Sequence, residues 1–215
     1  TRTSNPQILK DVTIGIPMDY LSKIVFEEGI TKLFENFIND LRHVGVKIVE
    51  LNFNFKQNLI WDSWTTFRSK IISLSLKDEY VLHRELLKES IVWEIERGIK
   101  LTDAHLTQAK AMRSLVSEQL YNIISEIDFL VLPSAQVFPF SKNKPYPDKI
   151  NGNRMDTYHR WLEITIPASL LGLPVASIPV DFKSGTKPLG IQLIAKKHED
   201  SKLLETTLEI HQTLH

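Results

Sequence analysis

An apolar segment at residues 164–182, ITIPASLLGLPVASIPVDF, is interrupted by Pro167, Pro174 and Pro179. A continuous buried helix would lose a hydrogen bond and meet a steric clash at each proline. A single central strand would lose ladder hydrogen bonds at the same places. The segment is therefore predicted to contain several short elements, with the prolines close to their boundaries.

The prolines and one glycine indicate where these elements begin and end. Pro167 is placed in the first turn of a short helix, where its missing N–H costs nothing, and Gly172 ends that helix. Pro174 opens a strand, and Pro179 near its far end indicates an edge or bulge position. The run LGIQLIA at 189–195 is predicted as a second strand, antiparallel to the first.

The N-terminal part of the chain has the pattern of a strand, a helix and a second strand. VTIGIP at 12–17 is a β-branched run that ends in proline. Apolar residues from Ile30 to Leu41 recur at the spacing of an amphipathic helix. VKIVELN at 46–52 then alternates apolar and charged residues. Two strands joined by a helix are expected to be parallel, with a right-handed crossover.

The rest of the chain continues this alternation of helices and short strands. Residues 58–127 are predicted to be almost wholly helical, and FLVLPS at 129–134 to be a short buried strand. Residues 135–153, rich in Pro, Lys and Asn, are predicted as an exposed loop whose length favours a functional role. A turn is expected at 181–188 and a last helix at about 200–214. The leucines of that helix are expected in the core: Leu203, Leu204, Leu208 and Leu214. These elements predict an α/β fold with a mixed sheet flanked by helices.

Composition excludes several classes of function. The 215 residues carry 26 basic and 26 acidic side chains, whereas a nucleic-acid-binding protein usually has a basic excess. Cysteine is absent, and no run of about 18 apolar residues indicates a membrane span. The first ten residues lack a signal-peptide core, so a cytoplasmic location is expected.

No metal site or cofactor is predicted. The seven histidines form no HExxH motif, and neither a P-loop nor a GxGxxG motif is present. His211 and His215 have the i, i+4 spacing of metal ligands, but they lie at a terminus that is expected to fray. Their spacing is therefore interpreted as accidental.

The order of these segments resembles the C-terminal part of the amidase signature enzymes. The resemblance is carried, in order, by VTIGIPMDYL, IDFLVLPS, ASLLGLPVASIPVDF and PLGIQLIAKKHEDSKLLETTLEIHQ, and it spans about residues 12–212. It implies that residues 1–215 form the C-terminal portion of the amidase signature fold. Many members have Asn in place of Ser169 and Gly in place of Ala195.

The resemblance also implies a chemistry. Members hydrolyse carboxylic amides, or transfer ammonia in tRNA-dependent amidotransferases, with a serine nucleophile, a second serine in a cis peptide and a lysine base. A base is needed because serine is a poor nucleophile at neutral pH until its proton is removed. In the family these residues precede the matched region, and this chain has no adjacent serine pair. No catalytic residue is assigned, and the chain is expected to be inactive alone and to pack against an N-terminal half.

Four residues are predicted to contact a small-molecule amide substrate. Tyr158, Trp161 and Thr165 are spaced i, i+3 and i+7, so they would share one face of an α-helix. The resemblance places Thr165 where some members line the acyl pocket. Ser134, just after a strand, is a weaker candidate for the same wall. The competing interpretation is that the two aromatic residues pack in the core and that Ser134 is a turn residue.

Two other functions remain open from the sequence. The chain could be a non-catalytic α/β module that binds a ligand or a partner, or part of a tRNA-dependent amidotransferase subunit. The amide substrate is not specified by any motif, and a homodimer is left open.

Overall fold

The computed structural model describes residues 7–54, 56–180 and 187–214. The chain divides into two compact units: one combines Thr1–Asn54 with Gln119–His215, and the other is Phe55–Glu118. Most of the predicted turn at 181–188 lies outside the described residues.

The described residues of the first unit form seven strands: β1 (Thr13–Pro17), β2 (Lys47–Leu51), β3 (Phe129–Pro133), β4 (Lys149–Ile150), β5 (Asn153–Arg154), β6 (Val175–Val180) and β7 (Leu189–Ala195). Strands β4 and β5 pair only with each other, whereas the rest form one sheet in the order β2-β1-β3-β7-β6. In it β1 is parallel to β2 and β3, and β7 is antiparallel to β3 and β6. The predicted mixed sheet is confirmed.

The α-helices of the described residues are α1 (Gln7–Lys10), α2 (Met18–Leu21), α3 (Ile30–His43), α4 (Gln57–Ser75), α5 (Lys77–Leu82), α6 (Glu89–Ile99), α7 (Asp103–Ile124), α8 (Ile166–Leu171) and α9 (Asp200–Leu214). Two further segments, Arg84–Leu86 and Arg160–Thr165, are 3-10 helices. None of the described helices is both long and apolar enough to cross a membrane.

The β1–α3–β2 unit forms as its pattern predicts. The apolar stripe of α3 is buried, through Ile30, Phe34, Phe37, Ile38 and Leu41. The strands that it joins lie side by side in parallel register, with Ile14 opposite Ile48. Burial of the stripe against the sheet is the main driving force for this arrangement.

The proline-rich segment also follows its prediction. Pro167 lies in the first turn of α8, and Gly172 ends that helix in a left-handed conformation with φ of 64°. That conformation suits glycine because it has no Cβ. Pro174 directly precedes β6, and Pro179 lies on β6, which is the last strand in the sheet order. The predicted edge position is confirmed.

Several details differ from the sequence prediction. Residues 160–165 form a 3-10 helix instead of an α-helix. Within the predicted exposed loop, residues 139–145 are exposed, but Gln136, Val137, Phe138, Pro147 and Ile150 are buried. In α9, Leu203 is buried whereas Leu204 and Leu208 are exposed. Adjacent residues of a helix point about 100° apart, so Leu203 and Leu204 cannot both face one core.

The second unit is helical, and its α4 and α6 lie unusually close together. Hydroxyl side chains supply much of the buried face of α4, at Ser63, Thr65, Ser69 and Ser73. A Cβ added to Gly98 of α6 would overlap the backbone oxygen of Ser69 and would lie 2.6 Å from Ser73 Cβ. Only glycine fits at this contact.

Candidate functional site

Two serine hydroxyls lie side by side: Ser134 directly follows β3, and Ser177 lies on β6. Ser134 Oγ and Ser177 Oγ are 2.8 Å apart, and the Ser134 backbone N–H donates to Gly190 O at 2.8 Å. A side chain at Gly190 would crowd both hydroxyls, because an added Cβ would lie 2.6 Å from Ser177 Oγ and 2.9 Å from Ser134 Oγ. Glycine at this position therefore leaves room for the hydroxyl pair.

A buried glutamine connects this pair to the segment that contains Thr165. Gln192 Nε2 donates to Pro133 O at 2.8 Å and to Ile164 O at 3.3 Å. These two carbonyls belong to the residues that directly precede Ser134 and Thr165. The structure therefore holds the two predicted site segments beside one side-chain amide.

A second buried glutamine, Gln136, bonds the backbone N–H of Ile164, whose carbonyl is bonded by Gln192. Ile164 N donates to Gln136 Oε1 at 3.1 Å, and Gln136 Nε2 donates to Val25 O at 3.0 Å. Buried backbone groups that lack a regular ladder need such partners. The two amides thereby replace the hydrogen bonds that a strand or a longer helix would have supplied.

Thr165 ends the 3-10 helix and is half-buried. Its Oγ1 donates to Leu162 O at 2.8 Å, so the hydroxyl satisfies a carbonyl of its own helix. An oxygen that donates in this way keeps its lone pairs available to accept a further hydrogen bond.

The two predicted aromatic residues pack against the 135–153 loop. Trp161 makes an edge-on contact with Phe140 at a ring separation of 5.4 Å, and Tyr158 lies 6.0 Å from Tyr146. Both predicted residues are half-buried. Tyr158 precedes the 3-10 helix, in which side chains three residues apart eclipse each other. The prediction that Tyr158, Trp161 and Thr165 share one face of an α-helix is therefore wrong.

An ion-pair cluster fixes the 3-10 helix. Arg160 donates to Asp156 at 2.8 and 2.6 Å and lies 3.1 Å from the carboxylate of Glu163. The hydrogen bonds from Arg160 lower the pKa of Asp156. Tyr20, whose pKa is raised well above its usual value mainly by burial, donates from its hydroxyl to Glu163 O at 3.3 Å. The segment is thus held by charge as well as by its backbone.

The hydroxyl pair does not have the surroundings of an activated nucleophile. Within residues 7–54, 56–180 and 187–214, neither the Ser134 nor the Ser177 hydroxyl is hydrogen-bonded to a lysine or histidine that could remove its proton. The same residues contain no group of three or more His, Cys, Asp or Glu side chains that could hold a metal ion. The arrangement can bind a polar group, but it has no base that would start acyl transfer.

Comparison with known proteins decides the family. The model of the Amidase family matches residues 1–204. The chain belongs to the Amidase family.

Relatives of this Amidase-family chain are similar along nearly its whole length. A glutamyl-tRNA(Gln) amidotransferase subunit of Orientia tsutsugamushi (strain Ikeda) is 24% identical, over 99% of the chain and 47% of the relative. The chain thus spans about half the length of the curated relatives it matches.

Solved structures share the fold of this Amidase-family chain. A crystal structure of an amidase superposes with a TM-score of 0.84 at 20% identity, covering 96% of the chain and 46% of the amidase. A bacterial aryl acylamidase of the amidase signature family superposes with a TM-score of 0.82 at 17% identity, covering 95% of the chain and 44% of the acylamidase. The resemblance inferred from the sequence is confirmed.

Sequence reasoning missed the residues that organise the candidate site of this Amidase-family chain. Gln136 and Gln192 are buried and join its segments, and Phe140 and Tyr146 pack on its aromatic residues. A signal for Gln192 was present, because a single amide inside the apolar run LGIQLIA has to find partners when buried. Gln136 lay in a stretch predicted to be exposed, so no such signal existed there.

Proposed function

We propose that this chain is the C-terminal portion of an amidohydrolase that converts carboxylic amides to acid and ammonia or amine. Its Ser-Ser-Lys centre is supplied by residues outside the chain, and the chain alone is inactive. The observation that carries the proposal is the family match over residues 1–204, in a chain whose serine pair, Ser134 and Ser177, is hydrogen-bonded to no lysine or histidine among the described residues. The chain packs against an N-terminal half in the cytoplasm; a homodimer is left open.

The proposed substrate-binding wall consists of Ser134, Tyr158, Trp161 and Thr165. The amide of Gln192 supports this grouping for Ser134 and Thr165, because it bonds the carbonyl before each of them. Half-buried aromatic rings beside two hydroxyl groups suit a largely apolar acyl group with one polar end. No cofactor is required for this chemistry.

The first experiment measures hydrolysis of short aliphatic and aromatic amides by the isolated chain. We expect no turnover, because neither Ser134 nor Ser177 is hydrogen-bonded to a described lysine or histidine that would raise its nucleophilicity. Ser134→Ala and Ser177→Ala serve as controls for trace activity. Turnover that either substitution abolishes would contradict the proposal, because it would place a nucleophile inside this chain.

The second experiment uses the complete enzyme, with the upstream half present. Trp161→Ala or Thr165→Val should change the ratio of kcat/KM between small and bulky amides by roughly 10- to 200-fold, which is the usual worth of one or two pocket methylenes. Leu204→Ala, at an exposed position of α9, is the matched control and should leave the ratio unchanged.

The core-packing interpretation gives a different result. Trp161→Ala would then cost about 3–5 kcal/mol of stability, and activity would fall equally for all substrates. Measuring the melting temperature with two substrates in parallel separates the two outcomes. An unchanged ratio for both variants would remove Trp161 and Thr165 from the site.

A second candidate function is that of a tRNA-dependent amidotransferase subunit. It is favoured by the curated relative named as a glutamyl-tRNA(Gln) amidotransferase subunit, which covers 99% of this chain. Ammonia release by the complete protein that depends on ATP and aminoacyl-tRNA would support it. Hydrolysis of simple amides without either would support the amidohydrolase. A complete protein that binds a ligand without turnover would indicate a non-catalytic module.

A further inference from the structure

A cavity of about 410 Å³ opens at the carboxyl ends of the parallel strands. Its lining includes Ile16 near the end of β1, Glu50 near the end of β2 and Pro133 at the end of β3. The chain passes from β1 through α3 to β2 on one side, and β3 lies on the other side of β1. The carboxyl end of β1 is therefore a topological switch point, where parallel sheets commonly bind ligands.

The floor of the cavity is apolar. Besides Ile16 and Pro133, it is lined by the buried side chains of Phe26, Phe34 and Ile38. The volume falls within the range of small-molecule pockets, which are mostly apolar with a few orienting polar groups. A ligand for this cavity therefore needs a hydrocarbon or aromatic body.

The rim of the cavity carries charged residues of both signs. Among the described residues that line the cavity, Glu35 and Glu50 are acidic and Arg42 is basic. Glu35 pairs with Lys32 at 3.8 Å, and Arg42 donates to Asn39 Oδ1 at 3.0 Å.

Glu50 differs from the other two charged residues of the rim. Its carboxylate makes no hydrogen bond or ion pair with any residue in the described ranges. It also stands opposite Ile16 in the parallel register, so its carboxylate borders the apolar floor. Such a carboxylate is suited to accept hydrogen bonds from an ammonium group.

We propose that this cavity binds a small amphipathic amine, with its apolar body against Ile16, Phe34 and Ile38 and its ammonium group on Glu50. The inference does not depend on the proposed amidohydrolase activity, because it rests on cavity shape and charge alone. Binding at this site need not be coupled to turnover.

The experiment titrates the protein with 2-phenylethylamine at low ionic strength and follows the isoleucine methyl signals by NMR. Two probes of similar shape, 2-phenylethanol and 3-phenylpropanoate, separate the contribution of charge from that of the apolar body. We expect the amine to shift the signals of Ile16 and Ile38 and to bind more tightly than the alcohol or the acid. Added sodium chloride should weaken amine binding, because it screens an exposed ion pair.

Glu50→Gln tests the proposed partner directly. It keeps the shape of the side chain, and we expect it to weaken amine binding about tenfold, the usual worth of a hydrogen bond to a charged group. Asp40→Asn is the matched control: it removes the same charge from an exposed residue of α3 that does not line the cavity. Melting temperatures of both variants check that the fold is retained.

Three outcomes would overturn the inference. The first is acid binding as tight as amine binding, which would assign the rim to an anion through Arg42. The second is a set of shifted signals that excludes Ile16 and Ile38. The third is an equal loss of affinity in Glu50→Gln and Asp40→Asn, which would reduce the effect to net charge.

Discussion

The sheet of the first unit and helix α4 of the second bury very different side chains. On the five strands of the sheet, Gln192 is the single polar residue among the buried ones. On α4, four of the six buried residues carry hydroxyl groups: Ser63, Thr65, Ser69 and Ser73. The sheet is therefore stabilised mainly by burial of hydrocarbon, whereas α4 relies on close approach and hydrogen bonding.

The polar contacts of α4 show how that approach is stabilised. Ser63 Oγ donates to Ala109 O at 2.9 Å, and Arg97 reaches the carbonyl and the hydroxyl of Thr65 at 3.0 and 3.1 Å. The fully buried Glu94 accepts from Arg68 at 3.2 Å. Short side chains permit these contacts because they keep the helix axes close. The same close packing leaves little room for any added atom.

Leu193→Ala tests hydrocarbon burial in the sheet and should cause the largest loss of stability. Leu193 is fully buried on β7, and truncation of such a leucine costs about 2–5 kcal/mol, since a cavity replaces its contacts. Urea denaturation measures the loss. Leu204→Ala, at an exposed position, should change stability by less than about 0.5 kcal/mol. A loss below about 1 kcal/mol at Leu193 would mean that hydrocarbon burial does not dominate the sheet.

Gln192→Met tests the one polar exception in the sheet. The substitution nearly keeps the volume but withdraws the donor from two buried carbonyls, so we expect a loss of about 1–3 kcal/mol. If the proposed function holds, the substitution in the complete protein should also alter the acyl preference, because Gln192 bonds the carbonyls before Ser134 and Thr165. Leu132→Met is a volume-matched control on β3 and should cost less than about 1.5 kcal/mol. Equal losses for both would show that the amide is replaceable.

Gly98→Ala tests close approach in the second unit. The added methyl would meet the Ser69 backbone, and overpacking of this kind costs about 1–3 kcal/mol, partly offset by the roughly 1 kcal/mol that alanine gains in a helix. The expected net loss is at most about 2 kcal/mol, measured by thermal unfolding. A second substitution, Ser73→Gly, removes only the overlap with the Ser73 side chain and not that with Ser69 O. It should therefore restore little of the lost stability. A stabilised Gly98→Ala variant would show that the helices can move apart freely.

Asp128→Asn should cause the smallest loss of stability, and that loss should depend on pH. Partial burial raises the pKa of Asp128, but hydrogen bonds from Lys202 and the Thr13 backbone N–H outweigh this and leave the pKa below its usual value. Stability from this carboxylate is therefore present above the unfolded pKa of about 3.9 and is lost as pH falls through the lower folded value.

The measurement compares wild type with Asp128→Asn by urea denaturation at several pH values. We expect a difference of about 1 kcal/mol at pH 7 that shrinks below about pH 4. Lys202→Met should reproduce part of this loss, because it removes the charged donor. A difference that stays constant down to pH 2 would assign the effect to packing instead of charge.

The sequence was sufficient for elements whose pattern is strong. Alternating and β-branched runs located all five strands of the sheet, and the prolines of residues 164–182 marked true boundaries. Pro179 even identified an edge strand, because a missing N–H is tolerated only where no neighbour needs it. These predictions succeeded since each depends on local chemistry alone.

The features that the sequence did not predict depend on contacts between residues distant in the chain. The 3-10 form of residues 160–165 is fixed by Gln136, Gln192 and Tyr20, none of which is near it in sequence. The loop at 135–153 is tied to a distant segment, because Asn151 donates to Phe26 O at 2.8 Å. The candidate site was predicted by residue number through family resemblance, while its internal geometry required these long-range contacts.

The parallel pairing of β1 with β3 has a consequence for folding kinetics. Thr13 and Asp128, which join the two strands at one end, are 115 residues apart in the chain. Closing so long a loop is entropically unfavourable before its contacts form, which slows folding. By contrast, β6–β7 and β1–α3–β2 are local units. We expect pulsed hydrogen exchange to show protection of the β6–β7 amides before those of β1–β3; simultaneous protection would contradict this order.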